Sequence, residues 1–360
     1  MDPIPLPLVL ACAPSDTPED TLPEMLRACA AAGAGALAAP LPPDPLLPAE
    51  ESARIALVQE AGGGRARTAG VLAPPEKAWE EVPFEGLVDL YAQRARALAG
   101  ADLLLVEGVQ AMAQARAALL GVRQAGLTQP LLVVCRCDEE GRTPSGGDVL
   151  ACGIVMQGMG AAAFGLRCPD PGVLEEQLAR LRQYLDLPLI AGAGEGGCAA
   201  HVPAWAAAGA RVFLSAARPE GVSTLAGALE GVDFSAFPPV ERDPDVIPCA
   251  SETEARFITP DVDVGETIQC SPNLLEDILT AEEESPVGAL RIAILEQDDV
   301  DLFAQEQYAI RDALCLWSDV PELLEAALRV YQGRAFYDGT AGLEPEVLDR
   351  LRRTYGLILL

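Results

Sequence analysis

Short apolar runs alternate with helix-like segments along most of the first two thirds of the chain. The clearest runs are LLVVCRC at residues 131–137 and LVLAC at residues 8–12. Short apolar runs bounded by turn residues predict buried strands, and longer stretches with apolar residues three or four positions apart predict helices. The same pattern predicts strands at residues 34–39, 68–73, 102–107, 161–167, 188–191 and 211–215, and helices that begin near residue 17 and cover residues 49–61, 84–98, 111–125, 148–158, 172–185, 198–208 and 220–230.

These segments form eight successive strand–helix units over residues 1–232. Such a series predicts an α/β fold, a (β/α)8 TIM-type barrel. A doubly wound open sheet is the alternative, because periodicity alone does not show whether a sheet closes on itself. Eight consecutive units with short connections favour the barrel.

The pattern changes after the eighth unit. Residues 233–253 are rich in proline and charge and are predicted to be a linker. Residues 254–360 are predicted to form a small α/β domain with strands at residues 256–259, 267–270, 289–295, 313–317, 334–337 and 356–360.

The charge balance narrows the classes of partner. The 360 residues include 54 acidic and 25 basic ones, for a net charge of −29, and such a field repels nucleic acid and anionic membranes. No basic, apolar leader begins the sequence, and no apolar stretch reaches the ~18–20 residues that span a bilayer. We therefore expect a cytoplasmic protein with no nucleic-acid or membrane partner, whose ten cysteines are mostly buried, reduced thiols.

Several motifs in the barrel resemble one known family. They are the strand ending in an acid (LLLVE), the alanine-rich helix after it, and the D-x-x-G-R-T-x-x-G turn in DEEGRTPSG. Further on, FGLRC resembles a strand end of the form G-x-N-C, and GARVFLSAARPE resembles the segment GAR–IGGCCGTTPE. On these motifs residues 65–230, and more weakly residues 5–65, resemble the homocysteine S-methyltransferase domain. In the tail, VGETIQCSP resembles the IGERINPTG start of the folate domain in clostridial-type methionine synthase, so residues 254–360 look like a truncated pterin/folate-domain remnant.

The resemblance implies a specific zinc chemistry. Members of the family hold one zinc ion through three cysteine thiolates, and the metal activates homocysteine as a thiolate nucleophile. Cys168 matches one ligand position, but the adjacent cysteine pair falls on Ala216 and Ala217. Because alanine cannot ligate a metal, we do not expect zinc at the family site. Residues 12–15 (CAPS) and 73–76 (APPE) also depart from the family's DGAMGT-like and GPTG loops.

Two residues are candidates for substrate binding. The resemblance implies that Glu107 holds the amino group of homocysteine; the alternative is an acid that merely interacts with the N-terminus of the next helix. Arg218 follows strand eight, where it could hold a ligand carboxylate, or it could decorate the start of the last helix and face solvent.

Other polar residues leave further alternatives open. Cys198 and His201 lie three residues apart after strand seven, so with Cys168 they could form a relocated metal site; an ordinary helix start explains the spacing equally. Cys135 and Cys137 share one face of strand five and are either core thiols or, for Cys137, a pocket residue. Residues 192–197 formally fit G-x-G-x-x-G, which indicates a helix start that could hold a phosphate or carboxylate, or a dinucleotide.

Two function hypotheses follow. The first is a diverged methyltransferase of this family with a small amino-acid or thiol ligand at the barrel mouth. The second is a non-catalytic barrel that acts as a binding or scaffold subunit beside a corrinoid- or folate-dependent methyltransferase partner.

Overall fold

The computed structural model describes residues 4–14, 16–40, 48–75, 82–193, 198–216, 218–284 and 288–360; for residues 48, 49, 193, 198 and 284 it describes the backbone alone. The chain divides into two compact units. The first comprises Met1–Pro144 and Ala161–Val240, and the second comprises Ser145–Gly160 and Glu241–Leu360. The chain therefore leaves the first unit after residue 144 and returns to it at residue 161.

Eight parallel strands close into a barrel in the first unit. Each strand pairs with the next one along the chain, and the eighth pairs with the first. The strands are β1 (Leu8–Cys12), β2 (Ala36–Ala38), β3 (Arg67–Leu72), β4 (Leu103–Val109), β5 (Leu131–Arg136), β6 (Ala163–Cys168), β7 (Leu189–Ala193) and β8 (Ala210–Ala216). The predicted (β/α)8 barrel is confirmed, and the open doubly wound sheet is excluded.

One helix follows each strand in sequence. They are α1 (Leu22–Ala31), α2 (Pro48–Gly62), α3 (Phe84–Ala97), α4 (Met112–Gln124), α5 (Val149–Gly158), α6 (Pro171–Arg182), α7 (Val202–Ala207) and α8 (Pro219–Glu230). The start of α6 shows how the sequence sets a boundary. The Asp170 carboxylate accepts hydrogen bonds from the Gly172 and Val173 backbone N–H groups at 2.7 and 3.0 Å, and Pro171 takes the first helical position, where no donor is needed.

The second unit contains a five-stranded parallel sheet and a two-stranded antiparallel one. Its strands are β9 (Ile247–Ala250), β10 (Ala255–Ile258), β11 (Val264–Gln269), β12 (Ala289–Ala293), β13 (Ala313–Trp317), β14 (Phe336–Tyr337) and β15 (Ile358–Leu359). Its further helices are α9 (Leu274–Glu284), α10 (Gln297–Glu306), α11 (Pro321–Val330) and α12 (Pro345–Tyr355). The five parallel strands stand side by side in chain order, from β11 to β15.

Two elements differ from the pattern that the sequence predicts. Strand β9 lies inside the segment predicted to be a linker, because Pro248 and the nearby charges are not typical of a strand. Its residues Cys249 and Ala250 are nevertheless buried. Helix α5 follows a barrel strand, but it groups with the second unit and packs against β9, β10 and α12. Within the part of the chain that the structure describes, no helix is both long and apolar enough to cross a membrane.

Candidate functional site

Alternate residues of each strand fill the barrel interior. The cluster is entirely apolar and consists of Leu8, Leu10, Ala36, Ala38, Ala69, Leu103, Leu105, Leu132, Val134, Ala163, Ile190, Val212 and Leu214. Because side chains along a strand alternate between its two faces, the next inward position lies two residues further on. In TIM barrels the strand ends at the C-terminal face carry the functional groups. The residues that continue this alternation therefore set the chemistry of the barrel mouth.

Four polar residues occupy these last inward positions, and we call them the polar mouth: Cys12, Glu107, Arg136 and Arg167. They lie at the ends of β1, β4, β5 and β6. Arg136 and Arg167 are register partners on neighbouring strands, and Cys12 pairs in register with Ala216 of β8. All of these residues belong to the first unit.

An ion pair spans the polar mouth. The Arg167 guanidinium donates a hydrogen bond to the Glu107 carboxylate, which links β4 to β6 across β5. The Glu107 side chain is 15% exposed and that of Arg167 is 34% exposed, so a ligand can reach both groups. After Glu107 the register of β4 shifts, and Gly108 there has a φ of +84°, a conformation that favours glycine.

The thiol of Cys12 lies beside this ion pair. Burial, followed by the negative charge of Glu107, raises the pKa of Cys12 well above its ordinary value, although Arg167 acts in the opposite direction. Cys12 is therefore a neutral thiol at pH 7. It can donate a hydrogen bond to Glu107, but it is not a ready thiolate.

Cys137 and Cys168 are joined by a disulfide, with their α-carbons 5.3 Å apart. Cys137 follows Arg136 and Cys168 follows Arg167. Because these two arginines are register partners, the ends of β5 and β6 bring the two cysteines side by side. The prediction that the cysteines are reduced is wrong for this pair. Being one residue past the inward position, both fall on the opposite face of their strands from the polar mouth. The other cysteines whose side chains the structure describes form no disulfide: Cys12, Cys29, Cys135, Cys152, Cys249, Cys270 and Cys315.

Two other predicted site residues, Arg218 and His201, stand next to the starts of helices α8 and α7. Arg218 is exposed at the start of α8. His201 directly precedes α7 and stacks on Trp205, with ring centroids 5.6 Å apart. The side chain of Cys198 lies outside the described residues, as do residues 194–197 of the glycine-rich run and Ala217. The relocated metal site of Cys168, Cys198 and His201 thus stays a prediction, one that would require the disulfide of Cys168 to be reduced.

The barrel sequence matches one family model. Residues 48–215, just under half of the chain, match the family described as homocysteine S-methyltransferase. This part of the barrel is thus similar in sequence to a homocysteine S-methyltransferase domain. No curated protein matches the sequence.

Solved structures of a homocysteine methyltransferase are similar to this barrel. The apo form of MmuM from Escherichia coli is 20% identical, with a TM-score of 0.54, and the match covers 61% of this chain and 95% of that one. The metallated form of MmuM is 18% identical, with a TM-score of 0.51 and coverage of 61% and 96%. At this level of identity the likeness shows the fold alone.

At the positions that the sequence resemblance assigns to zinc ligands, the described residues do not offer three thiolates. The sulfur of Cys168 is bonded to Cys137, and the methyl group of Ala216 offers no ligand. Among the described residues, no group of three or more His, Cys, Asp or Glu side chains could hold a metal ion.

Arginines 136 and 167 were not predicted as site residues. The signal was present in the sequence, because the alternation Leu132–Val134 continues to Arg136 and the alternation from Ala163 continues to Arg167. A charged residue at an inward position of a barrel strand is a marker of the mouth.

Proposed function

We propose that this protein is a homocysteine S-methyltransferase-family barrel that binds an amino acid, including a thiol amino acid, at its polar mouth, and that it does so without the family's zinc. The ion pair of Glu107 and Arg167 carries this proposal. The family match over residues 48–215 supports the ligand class.

The two charges of the pair complement the two charges of an α-amino acid. The ammonium group of the ligand can form an ion pair with the Glu107 carboxylate. The carboxylate of the ligand can form a planar, bidentate contact with the Arg167 guanidinium. Each side chain then exchanges one partner for another of the same sign. Since both side chains are partly buried, solvent screens these contacts less than it screens surface pairs.

The same residues argue against methyl transfer by metal activation. Two of the three family ligand positions are alanines in the sequence, and the third sulfur is held by Cys137. Without metal activation a substrate thiol keeps a pKa near ~8.5 and is mostly protonated at pH 7. Ligand binding, rather than zinc-dependent methyl transfer, is the activity that we expect.

A thermal-shift screen of amino acids and small thiols tests the proposal on the full chain. At a ligand concentration about 100-fold above its Kd, binding should raise the melting temperature of the protein by several degrees. The shift should disappear in Glu107→Gln and in Arg167→Gln. It should persist in Arg27→Gln and Glu60→Gln, which remove a surface ion pair whose side chains are 51% and 78% exposed.

Melting of each variant without ligand shows whether it folds. Arg218→Ala belongs in the same screen, because the predicted role of Arg218 as a carboxylate partner requires a loss of shift there. A ligand whose shift survives both mouth substitutions would contradict the proposal. The absence of any stabilising ligand would also contradict it and would favour the scaffold hypothesis.

A further inference from the structure

Two arginines stand next to each other at the barrel mouth. Arg136 of β5 and Arg167 of β6 are register partners, and both continue the inward alternation of their strands. Like charges placed directly opposite each other on neighbouring strands are destabilising. In a chain with a net charge of −29, this pair concentrates positive charge at one end of the barrel interior.

The polar mouth contains two guanidinium groups and one carboxylate, that of Glu107. Glu107 accepts its hydrogen bond from Arg167. Arg136 has no hydrogen bond or ion pair within the described residues, and its guanidinium lies over Gly108, where a β-carbon would stand 3.5 Å from its Nε. The side chain is exposed, so it is open to a ligand. Counted over its four described residues, the polar mouth thus carries two positive charges and one negative charge.

Two like charges placed in register on neighbouring strands break a local rule of strand pairing, and such violations concentrate at functional sites. A guanidinium is well suited to a carboxylate, because its planar N–H fork matches the two oxygens. Neighbouring strands lie about 4.8 Å apart, and a short aliphatic chain between two carboxylates can span that distance.

We propose that Arg136 binds a second anionic group of the ligand, so that the preferred ligand is an α-amino acid whose side chain ends in a carboxylate. This inference rests on the proposed function, in which Glu107 and Arg167 hold the ammonium and the α-carboxylate. Arg136 adds the third point of contact and sets the charge of the ligand.

Calorimetric titration with L-glutamate and L-glutamine tests the inference, because the two probes have nearly the same shape and differ by one charge. The wild type should bind glutamate about tenfold more tightly than glutamine, as expected for one hydrogen-bonded charge pair. In Arg136→Gln the ratio of the two dissociation constants should fall to about one, because glutamate loses the charge pair that distinguishes it from glutamine. Arg65→Gln is the matched control, since Arg65 is an exposed arginine that precedes β3 at the opposite end of the strands.

Glutarate, which lacks the ammonium group, separates the failure of this inference from the failure of the proposed function. If both amino acids bind equally well in the wild type, the role of Arg136 is overturned and the proposed function stands. If glutarate binds in an Arg136-dependent way while neither amino acid binds, the anion subsite stands and the proposed function fails. If none of the three probes binds, both are contradicted.

Discussion

At the residue scale, the sequence located one member of the polar mouth and missed its partners. Glu107 was predicted through the family resemblance, and it does lie at the C-terminal end of β4. Arg167 directly precedes the predicted metal ligand Cys168, and the alternation of the strand puts Arg167, not Cys168, on the inward face. Motif matching compares residue types in order, so it does not reveal which of two neighbours faces the interior.

The titration of Cys12 provides a test at this scale. Glu107→Gln should lower the pKa of Cys12, because it removes the negative charge that disfavours the thiolate while Arg167 remains. The alkylation of Cys12 by iodoacetamide can be followed by peptide mass spectrometry across a pH series. The pH at which alkylation begins should be lower in the variant than in the wild type.

Cys29 in α1 is an internal reference for this experiment. Burial and then Glu220 raise its pKa to about 11, and Glu107 is not among the causes. Its pH profile should be the same in both proteins. An unshifted profile for Cys12, with that of Cys29 also unchanged, would contradict the contact between Cys12 and Glu107.

At the element scale, the barrel was predictable because its strands are short apolar runs between turn residues. The predicted strands overlap all eight observed ones. Helix α5 was expected among the barrel helices, although every residue from 149 to 156 is buried. A helix that is apolar on all sides needs packing partners on all sides. The apolar sequence of α5 therefore indicates that it is more deeply buried than an ordinary outer helix of a barrel. The disulfide was not predictable, since spacing alone does not reveal which strand ends become neighbours.

Reduction of the disulfide should destabilise the protein. The bond between Cys137 and Cys168 closes a loop with a sequence separation of 31 residues, and a loop of this length corresponds to about 3–4 kcal/mol of unfolding free energy in the chain-entropy description. Urea unfolding with and without dithiothreitol should show a lower midpoint for the reduced protein.

The matched variant for this measurement is Cys137→Ala with Cys168→Ala, whose midpoint should not respond to dithiothreitol. Cys135→Ala keeps the disulfide and should respond as the wild type does. Titration of free thiols in the denatured, unreduced wild type should find two fewer than after reduction. An equal thiol count before and after reduction would show that the bond is absent in solution.

At the scale of the whole molecule, the division into two units does not follow a single point in the chain. Residues 145–160 belong to the second unit together with residues 241–360. Within that unit the Asp148 backbone N–H donates to the Thr253 carbonyl oxygen at 2.9 Å, and α5 packs against β9, β10 and α12. A fragment that ends after the barrel therefore keeps α5 without these partners.

A chain of residues 1–240 should consequently expose the apolar surface of α5. We expect stronger binding of a hydrophobic dye and a lower melting temperature than for the full chain. If the fragment melts cooperatively at the temperature of the full chain with no added dye binding, the second unit contributes nothing to the environment of α5.

The central claim is that the polar mouth binds an amino acid through the charges of Glu107 and Arg167 and not through a metal. Calorimetric titration of the full chain with L-homocysteine, once after treatment with EDTA and once with equimolar zinc, tests this claim most directly. We expect one binding site with the same dissociation constant in both preparations, lost in Glu107→Gln and in Arg167→Gln. Binding that occurs only in the zinc-loaded protein would contradict the claim, because it would show that a metal holds the thiol of the ligand.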